Sequence, residues 1–316
     1  MRILVTGAAG FIGSHLCERL LQDPHHEVIG LDALVPSASP VSVREQNLAG
    51  LLGHPRFQFL KQDLLEIDWS AILPQVDAVY HLAGIPGVRS SWGTDFQTYV
   101  SHNILATQRL LEGCRRFPVS KFIYASTSSV YGEQAGAVRE DAVTRPLSPY
   151  GVSKLTGEHL CKVYTHNDGL PVVILRFFTV YGPRQRTDMA FHRFIRQLLH
   201  QEPITIYGDG TQSRDFTFVR DCVHAIASVL DAPDVIGETI NIGGKERATV
   251  LESLALLEEL LEVQGNVQFI GKIYGEPKQT WADIRKAQRL LSYEPQTTLR
   301  EGLALECANL RQLYNL

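Results

Sequence analysis

Tyr150 and Lys154 stand four residues apart in Tyr150-Gly151-Val152-Ser153-Lys154, and upstream the run Ser126-Thr127-Ser128-Ser129 sets hydroxyls side by side. A free tyrosine ionises near about pH 10, too high for a base at neutral pH. An ammonium one helical turn away favours the phenolate and brings it within range. A hydroxyl run beside such a phenolate can meet a substrate alcohol, so the chemistry in prospect is removal of an alcohol proton. Each piece alone is commonplace: Tyr–Lys spacings abound on helix surfaces, and a serine run also makes a polar turn. The chemistry needs a third element.

That element opens the chain. The apolar run Ile3-Leu4-Val5 leads into glycines at 7, 10 and 13, and a helical pattern follows from Ser14. Strand, tight turn and helix start are the parts that hold a dinucleotide pyrophosphate. Gly7 permits the turn, Gly10 lets the backbone approach phosphate, and Gly13 lets the helix pack on the strand. The free N–H groups of the helix start, at Phe11 and Ile12, face the anion. The plainer alternative is a glycine-rich turn selected for backbone freedom alone. Asp32 follows Gly13 by 19 residues, at the end of a second apolar run. A carboxylate there accepts hydrogen bonds from ribose hydroxyls and repels a 2′-phosphate, which favours NAD over NADP. Asp63 and Leu64 end a third run and are placed to contact adenine. The small residues after His81, in Leu82-Ala83-Gly84, let a flat dinucleotide lie against the backbone, and His81 itself reads as a packed strand histidine.

The elements that must position these residues are seven short runs with helical stretches between them: Ile3–Thr6, Val28–Asp32, Phe57–Leu60, Ala78–Leu82, Phe122–Ser126, Val172–Phe177 and Thr239–Ile242. Such alternation predicts an α/β, Rossmann-type doubly wound parallel sheet, with ligands beyond the carboxyl ends of its strands. Thr6, Asp32, Asp63, Ala83 and Ser126 all lie at those ends. After Tyr181 the rhythm changes. Helices are predicted over Ala190–His200, Leu251–Val263, Ile284–Leu291 and Leu299–Leu313, with turn-rich sequence through Tyr207–Gly210. The division expected is a cofactor domain over 1–180, with residues of about 217–243 returning to it, and a smaller α/β substrate domain over most of 181–316.

The 316 residues are 44% hydrophobic and 20% charged, the composition of an ordinary globular chain. A net charge of −4 argues against nucleic acid or an anionic membrane as partner, so an anionic ligand must be met by local arginines. Five widely spaced cysteines without a C-x-x-C pair offer neither a disulfide framework nor a metal site. With no signal segment and no run of membrane-spanning length, a cytoplasmic location is expected.

Taken together, Thr6–Gly13, Ser126–Gly132, Ser148–Lys154 and Arg176–Pro183 resemble the extended short-chain dehydrogenase/reductases, in the NAD-dependent sugar-nucleotide epimerase/dehydratase branch. The resemblance runs over nearly the whole chain, through Gly208–Asp215 and Trp281–Leu291. It implies that NAD is the cofactor, that Tyr150 is the general base, that Lys154 holds the nicotinamide ribose, and that Thr127 is the catalytic hydroxyl. It also implies cofactor contacts from Asn103, Ser126 and Phe177, a diphosphate contact from Arg214, and substrate contacts from Thr205, Tyr207 and Glu276. A homodimer through the helices near Asn103–Phe117 and Pro149–His166 is implied as well. In finer detail, Arg176–Pro183 followed by Arg186-Thr187-Asp188-Met189-Ala190 is similar to the UDP-glucuronate 4-epimerases. Thr179 stands where many relatives carry Asn. Ser128 and Ser129 stand where decarboxylating and dehydrating relatives usually place a carboxylic acid. Oxidation at C4 of a UDP-uronate gives a β-keto acid prone to lose CO₂, and neutral hydroxyls can hold the carboxylate without adding charge. Arg89 and Arg186 are the candidates to offset the anionic ligand, with either free to meet carboxylate or diphosphate. Two other functions fit the same residues: 4-epimerisation of neutral UDP-hexoses, and a non-catalytic NAD-sensing role.

Overall fold

The computed structural model describes residues 1–35, 39–271 and 275–316. The chain runs β1 (Arg2–Thr6), α1 (Phe11–Leu20), β2 (Glu27–Leu31), α2 (Val41–Leu48), β3 (Phe57–Leu60), β4 (Ala78–His81) and α3 (Phe96–Tyr99). It continues through α4 (Ala106–Arg116), β5 (Lys121–Thr127), α5 (Pro149–Asp168), β6 (Val172–Phe177), β7 (Val180–Tyr181), α6 (Ala190–Leu199), β8 (Ile204–Tyr207) and β9 (Ser213–Phe218). The last part comprises α7 (Val219–Ser228), β10 (Thr239–Ile242), β11 (Glu246–Thr249), α8 (Val250–Leu261), β12 (Val267–Ile270), α9 (Arg285–Leu291) and α10 (Leu299–Tyr314).

Seven strands form one parallel sheet in the order β10-β6-β5-β4-β1-β2-β3. The seven apolar runs of the sequence are these seven strands. Outside the edge strand β3, whose residues are partly exposed, their Val, Ile and Leu side chains are buried on both faces, as a parallel sheet covered by helices requires. One face packs on α1 and α7 through Leu16, Cys17, Leu20, Cys222 and Ile226. The other packs on α4 and α5 through Leu110, Leu111, Cys114, Cys161 and Tyr164. The order reverses between β1 and β4, which opens a crevice beyond their carboxyl ends. β10 lies 62 residues beyond β6 in the chain and completes the sheet at its edge.

The remaining elements build a second lobe. β7, β9 and β11 form a three-stranded sheet, β8 and β12 a parallel pair, and α6, α8 and α10 pack around them. Both α8 and α10 begin in full capping boxes, Thr249 with Glu252 and Thr298 with Glu301. Two expectations need revision. Helix α1 begins at Phe11, not Ser14, because Gly13 belongs to its first turn. The turns read through Tyr207–Gly210 are present at Gly208 and Gly210, both at positive φ, but the residues leading into them form β8 rather than turns. Between α3 and α4 the helix widens into a π-turn over Val100–Leu105. Among the described residues no helix is long and apolar enough to cross a membrane, and all five cysteines are buried free thiols.

Candidate active site

The crevice at the switch point is walled by Gly7, Gly10 and Phe11 of the glycine turn, Asp32 after β2, Asp63 and Leu64 after β3, and Leu82, Ala83 and Gly84 after β4. Gly7 has φ +74, and a Cβ on it would lie 2.8 Å from the Ala83 nitrogen. A Cβ on Gly13 would lie 2.1 Å from the Gly7 carbonyl oxygen. Neither position admits a side chain. Helix α1 opens at Gly10 with no side-chain cap and no acidic residue in its first turn. Open N–H groups on a backbone that can be approached closely fit a dinucleotide pyrophosphate.

At the far end of the crevice the Asp32 carboxylate is almost fully buried. It accepts from the backbone N–H groups of Leu34 (2.9 Å) and Ala9 (3.2 Å) and pairs with Arg44 on α2. Arg44 was not foreseen: it lies 12 residues downstream, and only the turn of the chain into α2 brings it back. Of the other expected cofactor residues, Ile12, Gly13, Asn103, Ser126 and Phe177 do not line this wall. Asn103, set in the π-turn, pins the loop after β4. Its Oδ1 accepts from the Ile85 N–H (2.7 Å), and its Nδ2 donates to the Ile85 carbonyl and the Ser153 hydroxyl (both 3.0 Å). Such wide turns recur where a helix must aim a side chain. The Ser126 hydroxyl turns away from the crevice and donates to Glu158.

The chemical centre lies where β5 ends against α5. The Thr127 hydroxyl accepts from the Ser129 N–H (3.2 Å), closing the short turn Ser128–Val130. Gly151 lets α5 run over that turn, since a Cβ there would lie 2.6 Å from the Ser129 carbonyl oxygen. Tyr150 is thereby brought to Thr127, and its ring meets Tyr99 edge-on at 6.3 Å between centroids. Burial pushes the Tyr150 phenol up, while Arg186 and the Thr127 hydroxyl oppose that shift. This corrects the expectation drawn from spacing, in which Lys154 favours the phenolate. The Lys154 Nζ rests 4.2 Å from the centre of the Tyr124 ring, with Glu158 on the next turn of α5. Burial lowers Lys154 to about 8, against the raising influence of Cys161 and Glu158. His81 is fully buried between the Thr6 hydroxyl (2.8 Å) and the Thr107 hydroxyl (2.9 Å), and burial drives it down to about 3, so it is a neutral packed histidine.

Behind this centre sits an ion pair that sequence alone did not reveal. Glu158 and Arg176 are both buried, Arg176 Nε donating to Glu158 Oε1 (2.9 Å) and Nη2 to Oε2 (2.7 Å). Arg176 also lies 4.6 Å from the centre of the Tyr131 ring.

Beyond the crevice the second lobe offers a cluster of charge. Glu276 bridges Arg89 (3.0 Å) and Arg214 (3.1 Å), and Arg89 stacks 4.1 Å from the centre of the Tyr207 ring. This groups Arg89, Arg214, Tyr207 and Glu276, with Thr205 two residues from Tyr207 on β8. Arg186 sits apart from them on the crevice wall, paired with Asp188, and its charge acts to lower the Tyr150 and Tyr99 phenols. Thr179 accepts the Thr217 N–H on its carbonyl (2.9 Å). Ser128 and Ser129 are beside Thr127. Arg184 also reaches the crevice, another residue without a sequence signal.

A model of the NAD dependent epimerase/dehydratase family matches residues 3–243. A Bacillus subtilis (strain 168) protein described as an uncharacterized UDP-glucose epimerase is 58% identical over 314 residues, 99% of each chain. A UDP-glucuronate 4-epimerase of Thermodesulfobacterium geofontis is 38% identical over 305 residues, 95% of this chain and 93% of that one. The crystal structure of a Bacillus cereus UDP-glucuronic acid 4-epimerase in complex with UDP-glucuronic acid and NAD superposes with a TM-score of 0.98 at 54% identity, over 99% of this chain and all of that one. With the family model matched over residues 3–243 and these relatives matched over nearly the whole length, the chain belongs to the NAD-dependent epimerase/dehydratase family.

Proposed function

We propose that this NAD-dependent enzyme interconverts UDP-glucuronate and UDP-galacturonate by epimerisation at C4. The observation that carries the reading is the make-up of the chemical centre: Tyr150 beside Thr127, hydroxyls rather than a carboxylate at Ser128 and Ser129, and the Arg186 charge acting on the phenol. NAD, which the glycine turn and Asp32 would hold, would supply a hydride acceptor at C4 and a hydride source for the other face of the sugar. The chain's own residues do the rest. Tyr150 removes the O4 proton and later gives it back, with Thr127 aligning the same oxygen. The phenol needs cationic help against its own burial, and Arg186 supplies part of it. Ser128, Ser129, Thr179 and Arg186 hold the carboxylate so that the 4-keto sugar does not lose CO₂. Arg89, Arg214, Tyr207, Thr205 and Glu276 take the UDP portion; the grouping of Arg89 with Arg214 through Glu276 supports a diphosphate role for Arg89.

The cofactor lobe in this reading is 1–180 with 217–243, and the rest holds the UDP-sugar. We further propose a homodimer through α5 and through α4 with the π-turn before it, where Leu105, Val152 and Val163 are exposed, and a reducing, cytoplasmic setting for the five free thiols. The test is incubation with UDP-glucuronate and NMR resolution of the products. UDP-galacturonate supports the reading; UDP-pentose or no reaction overturns it. UDP-glucose is assayed alongside, because the B. subtilis relative is described as a UDP-glucose epimerase, and preferential turnover of that sugar would replace the uronate assignment.

A further inference from the structure

The segment between Tyr181 and Ala190 straps the second lobe to the mouth of the crevice and carries two arginines that face different ends. We infer that Arg184 is a ligand of the cofactor pyrophosphate and clasps the two lobes over the bound dinucleotide; this rests on the NAD reading above.

The strap is anchored on α10. The Gly182 N–H donates to Glu306 Oε2 (2.9 Å), and the Arg184 N–H donates to Asn309 Oδ1 (3.0 Å). Arg184 itself takes φ +69, in the left-handed region that a residue with a side chain enters at a cost. That conformation sends its side chain across the lobe boundary to α1, the helix opened by the glycine turn. There Nη1 donates to the Ser14 hydroxyl (3.2 Å) and Nη2 to Glu18 Oε1 (2.6 Å). The same side chain lines the crevice with Gly7, Gly10 and Phe11.

The charge balance calls for a cation at this place. A pyrophosphate brings two negative charges, whereas the α1 terminus offers roughly half a positive one. Three arginines line the crevice among the described residues. Arg44 is paired with Asp32 at the ribose end, and Arg186 is paired with Asp188 beside Tyr150. Arg184 is the one bonded to α1. A guanidinium has five donors, so it can keep Glu18 and still donate to a phosphate oxygen. Because Arg184 and Arg186 share one short strap, a UDP-uronate whose carboxylate meets Arg186 should steady the clasp and slow cofactor release.

The test measures NAD retention on desalting, the Kd for NADH by fluorescence, and the NADH release rate with and without UDP-glucuronate. Arg184→Gly removes the guanidinium and relieves the positive φ, so the fold survives. Its NADH affinity should be about tenfold to a hundredfold weaker, the scale of one lost charge-assisted hydrogen bond, and UDP-glucuronate should no longer slow release. Arg184→Lys should fall between the two. Glu18→Gln leaves Arg184 free to turn to the phosphate and should keep NADH affinity within about twofold, the size of a solvent-screened pair. Equal weakening by Arg184→Gly and Glu18→Gln, or no weakening by either, would make the contact a plain lobe-to-lobe ion pair and overturn the inference. Failure of the unmodified protein to bind NAD would instead overturn the cofactor reading beneath it.

Discussion

Replacing Glu158 with Gln tests whether the ion pair behind Tyr150 and Lys154 holds the chemical centre in place. In the folded protein Glu158 Oε1 accepts from Arg176 Nε and the Ser126 hydroxyl, and Oε2 accepts from Arg176 Nη2. Glutamine keeps one acceptor oxygen and turns the other into a donor, so an Arg176 N–H must face an N–H. Removing one member of a buried pair costs about 3–5 kcal/mol, because the surviving charge is left uncompensated. For a chain of this length that corresponds to a fall of about 6–10 °C in Tm, at about 2 °C per kcal/mol. Thermal unfolding followed by circular dichroism reads it directly. The double change Glu158→Leu with Arg176→Met removes both charges and should recover most of the loss, since a well-packed apolar pair often matches a buried ionic one. Glu158 also raises the Lys154 pKa. Glu158→Gln should therefore move the alkaline limb of the pH–rate profile to lower pH. A single-variant cost below about 1 kcal/mol, or a double-variant cost equal to the sum of the singles, would refute the reasoning.

Four further outcomes follow from the same geometry. Tyr150→Phe keeps the ring and loses the ionisable oxygen, so turnover should fall at least about a hundredfold with NAD binding intact; a loss of Tm that accounts for the lost activity would make the residue structural. Asp32→Ala should narrow the preference for NAD over NADP and release Arg44 toward a 2′-phosphate; calorimetry giving equal affinities for both cofactors in the unmodified protein would refute the role of Asp32. Ser128→Ala with Ser129→Ala should raise the share of decarboxylated product seen by mass spectrometry, whereas slower turnover at an unchanged product ratio would limit those hydroxyls to positioning. Lys154 ionises near 8 when folded, against 10.5 when free. Below pH 8 the fold carries the cost of a buried ammonium, and between about 8 and 10.5 the cost fades because the unfolded chain binds more protons. Lys154→Met should thus be more stable than the parent in urea at pH 7, with a gap that closes as pH rises; a pH-independent gap would exclude this origin.

The sheet was legible because buried parallel strands write themselves as short runs of Ile, Val and Leu, and all seven runs became its strands. The glycine turn was legible in type but not in extent. The packing role of Gly13 was legible, but the helical pattern reads from Ser14, whereas α1 begins at Phe11 with Gly13 in its first turn against the Gly7 carbonyl. Strands β8, β11 and β12, of four residues each, were not legible, since four residues beside glycine turns carry no clear period. The π-turn around Asn103 left no mark either, because it depends on α5 and the loop after β4 supplying partners for one amide. The ion pairs were the largest omission. Arg44 with Asp32, Arg176 with Glu158 and Arg184 with Glu18 each join different elements, and only the folded chain sets them side by side. The same reason explains the revision at Tyr150: four residues of helix brought Lys154 near, but the Tyr124 ring claimed its ammonium and the strap delivered Arg186 instead.

The five buried thiols give this molecule a built-in clock for its own opening. Cys17, Cys114, Cys161, Cys222 and Cys307 sit one to a helix in α1, α4, α5, α7 and α10, and burial pushes every one of them well above the usual thiol range. A thiolate is the reactive form, so the closed protein is inert to alkylating reagents, and each labelling event records an excursion that exposed one helix. Four of the helices flank the large sheet and α10 belongs to the second lobe. The order in which the sites label would reveal whether the second lobe lifts away before the sheet loosens, and whether NAD slows both excursions or only the first.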